Sequence, residues 1–183
     1  MSITTRTALP TGTWTVDPGH SNVEFAVKHL GIATVRGAFK EFEGSFGVND
    51  DGSARARGTV KAASVDTNED ARDAHLRSED WFHAEVHPEL AFESTEIRPL
   101  DEDTLEIHGE LTMRGVTRPV VLSAELQGSE IDPWGNERVG LEVNGQLDRS
   151  DWGMTFNQAL GSGNLLVSNK VKLSLDISAV KQA

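Results

Sequence analysis

"LEIHGELTMRGVTRPVVLSAEL", residues 105–126, sets the fold class. Leu105, Ile107, Gly109, Leu111 and Met113 alternate with Glu106, His108, Glu110 and Thr112. After the turn-like "RGVTRP", Val120, Leu122, Ala124 and Leu126 alternate with Ser123 and Glu125. A strand with one buried face repeats every two residues, so this stretch predicts two strands, each with one wet face, on either side of a reversal.

The same period recurs in both directions from this hairpin. Val23, Phe25 and Val27 form one run, Phe42, Gly44, Phe46 and Val48 another. Val139, Leu141, Val143, Gly145 and Leu147 precede a last run of Val171, Leu173, Leu175 and Ile177. Residues 14–16, 57–63 and 90–97 are shorter candidates. "NDDG" at 49–52, "RPLDED" at 98–103 and "DPWGN" at 132–136 carry the Gly, Pro, Asp and Asn of tight reversals. Eight or more strands joined mostly by hairpins make an antiparallel meander, and closing it into a barrel removes its exposed edges. The polar faces then point outward and the apolar faces inward, around an interior either packed with side chains or holding an apolar ligand.

Two connections are too long for hairpins. "NEDARDAHLRSEDWF", residues 68–82, reads as helix, with Thr67 and Asp70 spaced as a capping box. A short helical segment over about 67–82 is therefore expected to close one end of the barrel, with Leu76, Trp81 and Phe82 as its apolar face. Residues 149–169, "RSDWGMTFNQALGSGNLLVSN", form the other, and long connections in compact domains are usually functional or packed lids.

Composition narrows the function classes. The chain has 183 residues, enough for one domain with a sizeable core, and no cysteine, which removes disulfides, thiolate metal sites and thiol nucleophiles. A formal charge of −12 argues against general binding to nucleic acid or anionic membrane. The opening "MSITTRTALPTGTW" lacks the apolar run of a secretory signal and no later stretch approaches a membrane span, so a soluble cytoplasmic protein is expected. Residues 1–11 read as a flexible N-terminal tail and 12–180 as a single domain.

Catalytic and metal patterns are thin. His83 and His87 have helical i, i+4 spacing, but Pro88 and the absence of "HExxH" favour loop histidines over a zinc site. Asp17, His20 and Ser21 are triad residue types, yet neighbours on a strand point to opposite faces and no "GxSxG" elbow occurs. Asp17 and Pro18 read better as a turn, with His20 a buried, hydrogen-bonded neighbour. No pair among the 29 acids stands out for acid–base work, and "GSG" at 161–163 is no phosphate cradle. No metal and no cofactor is called for.

Four segments in order, "WTVDPGHSNVEFAVKHLGIATVRGAFKEFEGSF" (14–46), "SVDTNEDARDAHLRSEDWFHAEVHPELAFEST" (64–95), "GELTMRGVTRPV" (109–120) and "RSDWGM" (149–154), resemble the YceI-like family across nearly the whole chain. The resemblance implies an all-β fold, an extended antiparallel lipocalin-like β-barrel of roughly eight strands with a helical excursion at one end, around a long apolar tunnel. It implies non-enzymatic binding of a polyisoprenoid or similar long-chain amphiphile, such as an isoprenoid quinone, polyprenyl phosphate or fatty amide. Many relatives carry signal peptides, from which this sequence departs, and relatives often dimerise, so a second copy of the chain is a candidate partner. It also has no tyrosine, so tyrosine head-group contacts do not carry over.

On this reading the ligand-lining residues are Phe25, Val27, Phe39, Phe42, Phe46, Phe92, Leu105, Ile107, Leu122, Leu141 and Phe156, with Trp81, Phe82 and Trp152 near an end. His29 joins them by its parity with Phe25 and Val27. Arg36, Arg72, Arg77 and Arg149 are the cationic candidates for a head group. For the lining residues the alternative is plain core packing, and for the arginines local salt bridging. Two other functions compete with the carrier: an enzyme using His20 or His29 as base on a lipid-like substrate, and a stress-linked scaffold with a filled barrel.

Overall fold

In the computed structural model, which describes residues 9–183, the alternating segments form one closed antiparallel sheet. Its strands are β1 (Gly12–Val16), β2 (Asn22–His29), β3 (Ala33–Phe39), β4 (Phe42–Val48), β5 (Ala54–Lys61), β6 (Val65–Asp66), β7 (Glu89–Pro99), β8 (Thr104–Met113), β9 (Val116–Ile131), β10 (Glu137–Asp148) and β11 (Val167–Lys181). Among the described residues one α-helix occurs, α1 (Asp70–Arg77), between β6 and β7.

Pairing merges these segments into eight barrel strands. One edge of β11 follows β10 from Asp148↔Lys170 to Arg138↔Val180. Its other edge takes β2 at Val27↔Val171 and Val23↔Leu175, then β1 at Val16↔Ala179 and Trp14↔Lys181. β1 and β2 are therefore two halves of one strand, interrupted by the short turn Pro18–His20. In the same way β3 runs into β4, against β2 and β1 respectively, and β5 runs into β6 across Ala62–Ser64. Every barrel strand thus neighbours the next in sequence, and the last closes on the first, leaving no long free edge.

The hairpin at the centre of the sequence argument pairs in full, from Met113↔Val116 to Thr104↔Glu125. Its reversal is Arg114–Gly115, both at positive φ (52° and 72°), the two-residue geometry whose twist matches that of the flanking strands.

The helix is shorter than expected and starts differently. Glu69, not Thr67, caps it, accepting from the backbone N–H groups of Ala71 and Arg72. Thr67 instead gives its backbone N–H and hydroxyl to the Asp73 carboxylate, which is buried within the helix, so the loop and first turn are tied side chain to backbone. Residues 78–88 follow as turns rather than helix.

The two ends of the barrel differ. At the end holding the chain terminus and the β4–β5, β7–β8 and β9–β10 turns, Trp14, Phe46, Val48, Leu105, Ala124, Val139, Leu141, Val143 and Ala179 pack into a closed core. Trp14 is fully buried, stacks on Phe46 with ring centroids 6.1 Å apart, and donates its indole N–H to the Pro10 carbonyl at 3.0 Å. The expected tail, residues 1–11, lies mostly outside the described residues; of its remainder, Leu9 is buried in this core rather than free. At the helix end a smaller cluster gathers Trp81, Met113, Trp152 and Met154.

Candidate functional site

Between the closed core and the helix end the barrel is hollow. A cavity of about 580 Å³ runs through it, within the ~300–1,000 Å³ typical of small-molecule sites. The inward parity of the strands supplies its wall: Phe25, Val27, Val35, Phe42, Phe92, Ile107, Leu122, Val171 and Leu173 all face it. These residues point inward, yet each is only half-buried, whereas Trp14 and Val139 in the closed end are fully covered. Inward side chains keep that exposure when they face space instead of one another.

Glycines account for the space. Phe25 lies across its cross-strand partner Gly37, Phe92 across Gly109, and Leu122 across its partner Gly145, each so close that a methyl group on the glycine would overlap it. Three large inward side chains thus lie down along the wall instead of crossing the lumen. Gly44 faces Gly58 in the β4–β5 register, and the bare backbone there forms a further patch of wall.

Polar groups converge at the helix end. The Arg149 guanidinium, 2% exposed, donates from Nε to the Ser168 carbonyl at 3.0 Å, from Nη1 to Met154 at 2.6 Å and from Nη2 to Val167 at 3.3 Å. It stacks over the Trp81 ring at 4.6 Å, and its burial pulls its pKa below the usual arginine value. His75 contacts both Trp81 and Phe156 edge-on, with centroids at 6.1 and 4.8 Å, and shares a 2.8 Å hydrogen bond from Nε2 with Asp80. Arg72, largely exposed, lines the same end and donates to the Thr67 hydroxyl and carbonyl at 2.7 and 2.8 Å.

Of the expected lining residues, Phe25, Val27, His29, Phe39, Phe42, Phe46, Trp81, Phe82, Phe92, Leu105, Ile107, Leu122, Leu141 and Phe156 all border the cavity. Within that set Phe46, Leu105 and Leu141 also belong to the closed core and form the cavity's floor. Trp152 does not border it: buried between Met113 and Met154, it donates its indole N–H to the Leu111 carbonyl at 2.9 Å and holds the long β10–β11 connection down. Arg36 stands exposed on the outer face of β3, opposite in parity to Val35 and Gly37. Arg77 lies outside the cavity as well, its guanidinium donating to the Ala63 and Val65 carbonyls. Of the four candidate arginines, Arg72 and Arg149 border the cavity.

His20, expected to be buried, is exposed; its Nδ1 meets Asp17 at 2.8 Å. Ser21 is occupied elsewhere, exchanging hydrogen bonds with the Ser178 backbone, so the two do not share a proton. The His83 and His87 rings sit 5.8 Å apart, and among the described residues no group of three or more His, Cys, Asp or Glu is placed to hold a metal. No described helix is long and apolar enough to cross a membrane.

Val35, Leu76, Val120, Val171 and Leu173 also border the cavity, though they were not among the expected lining residues. Four of them share the parity of inward neighbours, so the signal was present; Leu76 was read only as helix face.

The YceI-like domain model matches residues 14–179. The chain belongs to the YceI-like family. A UPF0312 protein of Photorhabdus laumondii is 40% identical over 168 residues, spanning 90% of this chain and 84% of that one. The YceI protein of Campylobacter jejuni, a solved member, superposes with a TM-score of 0.74 at 29% identity over 85% of this chain and 90% of its own. The polyisoprenoid binding domain of Saccharophagus degradans superposes with a TM-score of 0.69 at 15% identity over 92% of this chain and 98% of that one, a likeness of fold. The barrel fold is thus shared by chains of widely different sequence.

Proposed function

We propose that this YceI-like chain is a non-enzymatic carrier that sequesters or transports a polyisoprenoid or similar long-chain amphiphile inside its barrel. The observation that carries the reading is the hollow apolar lumen, whose inward Phe, Leu and Val side chains remain half-buried against roughly 580 Å³ of space. Burying a methylene contributes about 0.8 kcal/mol, so an isoprenoid tail supplies its own driving force without a reactive group. The fold shared with a domain that binds polyisoprenoids supports the same reading.

Native mass spectrometry of freshly purified protein, followed by solvent extraction of whatever is released, tests it. A stoichiometric prenyl or long-chain species is the expected result. A clean apo mass that does not shift with added polyprenyl phosphates, quinones or fatty amides would overturn the carrier.

A further inference from the structure

Part of the rim at the helix end is apolar where turns are ordinarily polar. β2 and β3 reverse through Leu30 and Gly31, both at positive φ (57° and 72°), a geometry that favours Asn or Gly over leucine. Ile32 follows, 81% exposed. Leu30 donates its backbone N–H to the Leu166 carbonyl at 2.9 Å, which fastens this turn to the hairpin-like stretch 158–166 of the β10–β11 connection. There Leu166 borders the cavity while Leu165 beside it is 43% exposed. His29 and Val167, paired across β2 and β11, line the cavity just below. The rim above the lumen therefore carries two apolar side chains, Ile32 and Leu165, that neither the core nor the cavity wall takes up.

Cations stand behind them. On the outer faces of β11, β2 and β3, Lys172, Ala26 and Arg36 fall in one cross-strand row. Lys28 and Thr34 form the next row towards the rim, and Lys170 precedes Lys172 on β11. All four cations are exposed and, among the described residues, none forms an ion pair; Lys28 reaches only the Thr34 hydroxyl. On this face the acids are Glu24 and Asp176, one and two rows further from the rim, and Asp148 on neighbouring β10, opposite Lys170. Nearest the rim the surface is thus net positive, on a chain of formal charge −12. The other side of the same end is acidic, with Asp70, Glu79 and Glu85 exposed on α1 and the turns after it.

Resting on the carrier reading, we infer that this side of the rim is a docking face for an anionic lipid bilayer. Ile32 and Leu165 enter the boundary between headgroups and acyl chains, and Lys28, Arg36, Lys170 and Lys172 extend their long side chains to the lipid phosphates. Apolar tips backed by cations hold a peripheral protein on a charged membrane, and each cation near the surface strengthens attachment about fivefold. The acidic helix side is repelled, so the contact is one-sided, and the overall negative charge disfavours other orientations. In this pose Leu166 and His29, on the inner side of the rim, lie next to the bilayer from which a long-chain amphiphile is taken up.

Flotation of the full chain with vesicles of equimolar phosphatidylglycerol and phosphatidylcholine, and with phosphatidylcholine alone, tests the face. Binding to the anionic vesicles only, weakened by salt, is expected. Ile32→Ser combined with Leu165→Ser, and separately Lys170→Gln combined with Lys172→Gln, should lower vesicle affinity tenfold or more. All four side chains are exposed, so the fold has little to lose. Trp134→Ser is the control and should bind as the parent does, because Trp134 is 82% exposed in the β9–β10 turn at the closed end. Equal binding by the parent and both rim variants, or a loss confined to Trp134→Ser, overturns the docking face. A parent that fails to float yet yields a long-chain species on solvent extraction loses the face and keeps the carrier, leaving the cations to an acidic protein partner. One that floats but neither yields nor takes up a prenyl chain loses the carrier and keeps the face.

Discussion

The outer edge of the Phe25 ring lies across Gly37, its partner in the β2–β3 register. Because Gly37 has no side chain, the ring can occupy the wall where a partner's Cβ would otherwise stand, and the lumen beside it stays clear. Phe92 over Gly109 and Leu122 over Gly145 repeat the arrangement on other strands. The hollow is thus built by pairing large inward side chains with absent ones, without making the wall polar or the strands irregular.

Gly37→Ala should push the Phe25 ring into the tunnel, since the new methyl also comes within 2.9 Å of Thr67 Cγ2. Overpacking of this kind costs about 1–3 kcal/mol. A lower urea midpoint, together with a selective loss of affinity for the longest chains in a prenyl series, is the expected outcome. Unchanged affinity across the series would mean that the ring is not what keeps the lumen open.

Val171 faces the cavity opposite Val27, so Val171→Phe has empty space to fill. It should abolish long-chain binding at a stability cost below about 1.5 kcal/mol, because it displaces few packed atoms. Trp14→Ala, at the closed end, should do the reverse, costing about 3–5 kcal/mol through a cavity in a packed core. Thermal unfolding and ligand titration on both variants separate the two halves of the barrel.

Asp17, Arg138 and Asp132 fasten the closed end. Arg138 Nη1 meets Asp17 at 2.9 Å and Nε meets Asp132 at 2.8 Å, joining the β1–β2 turn to the β9–β10 hairpin. The Arg138 hydrogen bond, aided by His20, lowers the Asp17 pKa from 3.8 to about 2, and Asp132 is lowered too, chiefly by Arg138. A carboxyl whose pKa falls on folding stabilises the protein above its unfolded pKa and loses that contribution as pH drops through the folded value. Asp17→Asn should therefore be less stable than the parent at neutral pH, by at most about 1 kcal/mol for so accessible a pair. The gap should close between about pH 4 and pH 2, the window set by the Asp17 shift. Urea unfolding of both proteins across that range measures it, and a gap that stayed constant would remove Asp17 ionisation as its cause.

The strands and turns were legible because parity and turn chemistry are local. Residues 105–126 announced their hairpin, and the inward set of β2, β4, β8 and β10 followed from alternation alone. Residues 33–39 were not read as a strand, so Arg36 stood among the head-group candidates until β3 placed it on the outer face. Reading failed where no period operates. In residues 149–166 nothing in the spacing says that Trp152 is buried on Leu111 while Phe156 reaches the lumen. Arg77 was drawn away by the Ala63 and Val65 carbonyls, whereas Arg149 was brought to the tunnel by carbonyls up to 19 residues away.

The sequence by itself determined a barrel of two-faced strands, greasy within and wet without, closed by a helix at one end. A side chain's face depends only on its own strand, through the two-residue repeat. Only the tertiary structure decided that one half of that interior is solid and the other hollow, and that a buried cation stacks on a buried indole where the hollow ends. Those outcomes depend on register, on which residue stands across from which. Phe46 meets Trp14 and packs, whereas Phe25 meets Gly37 and leaves space.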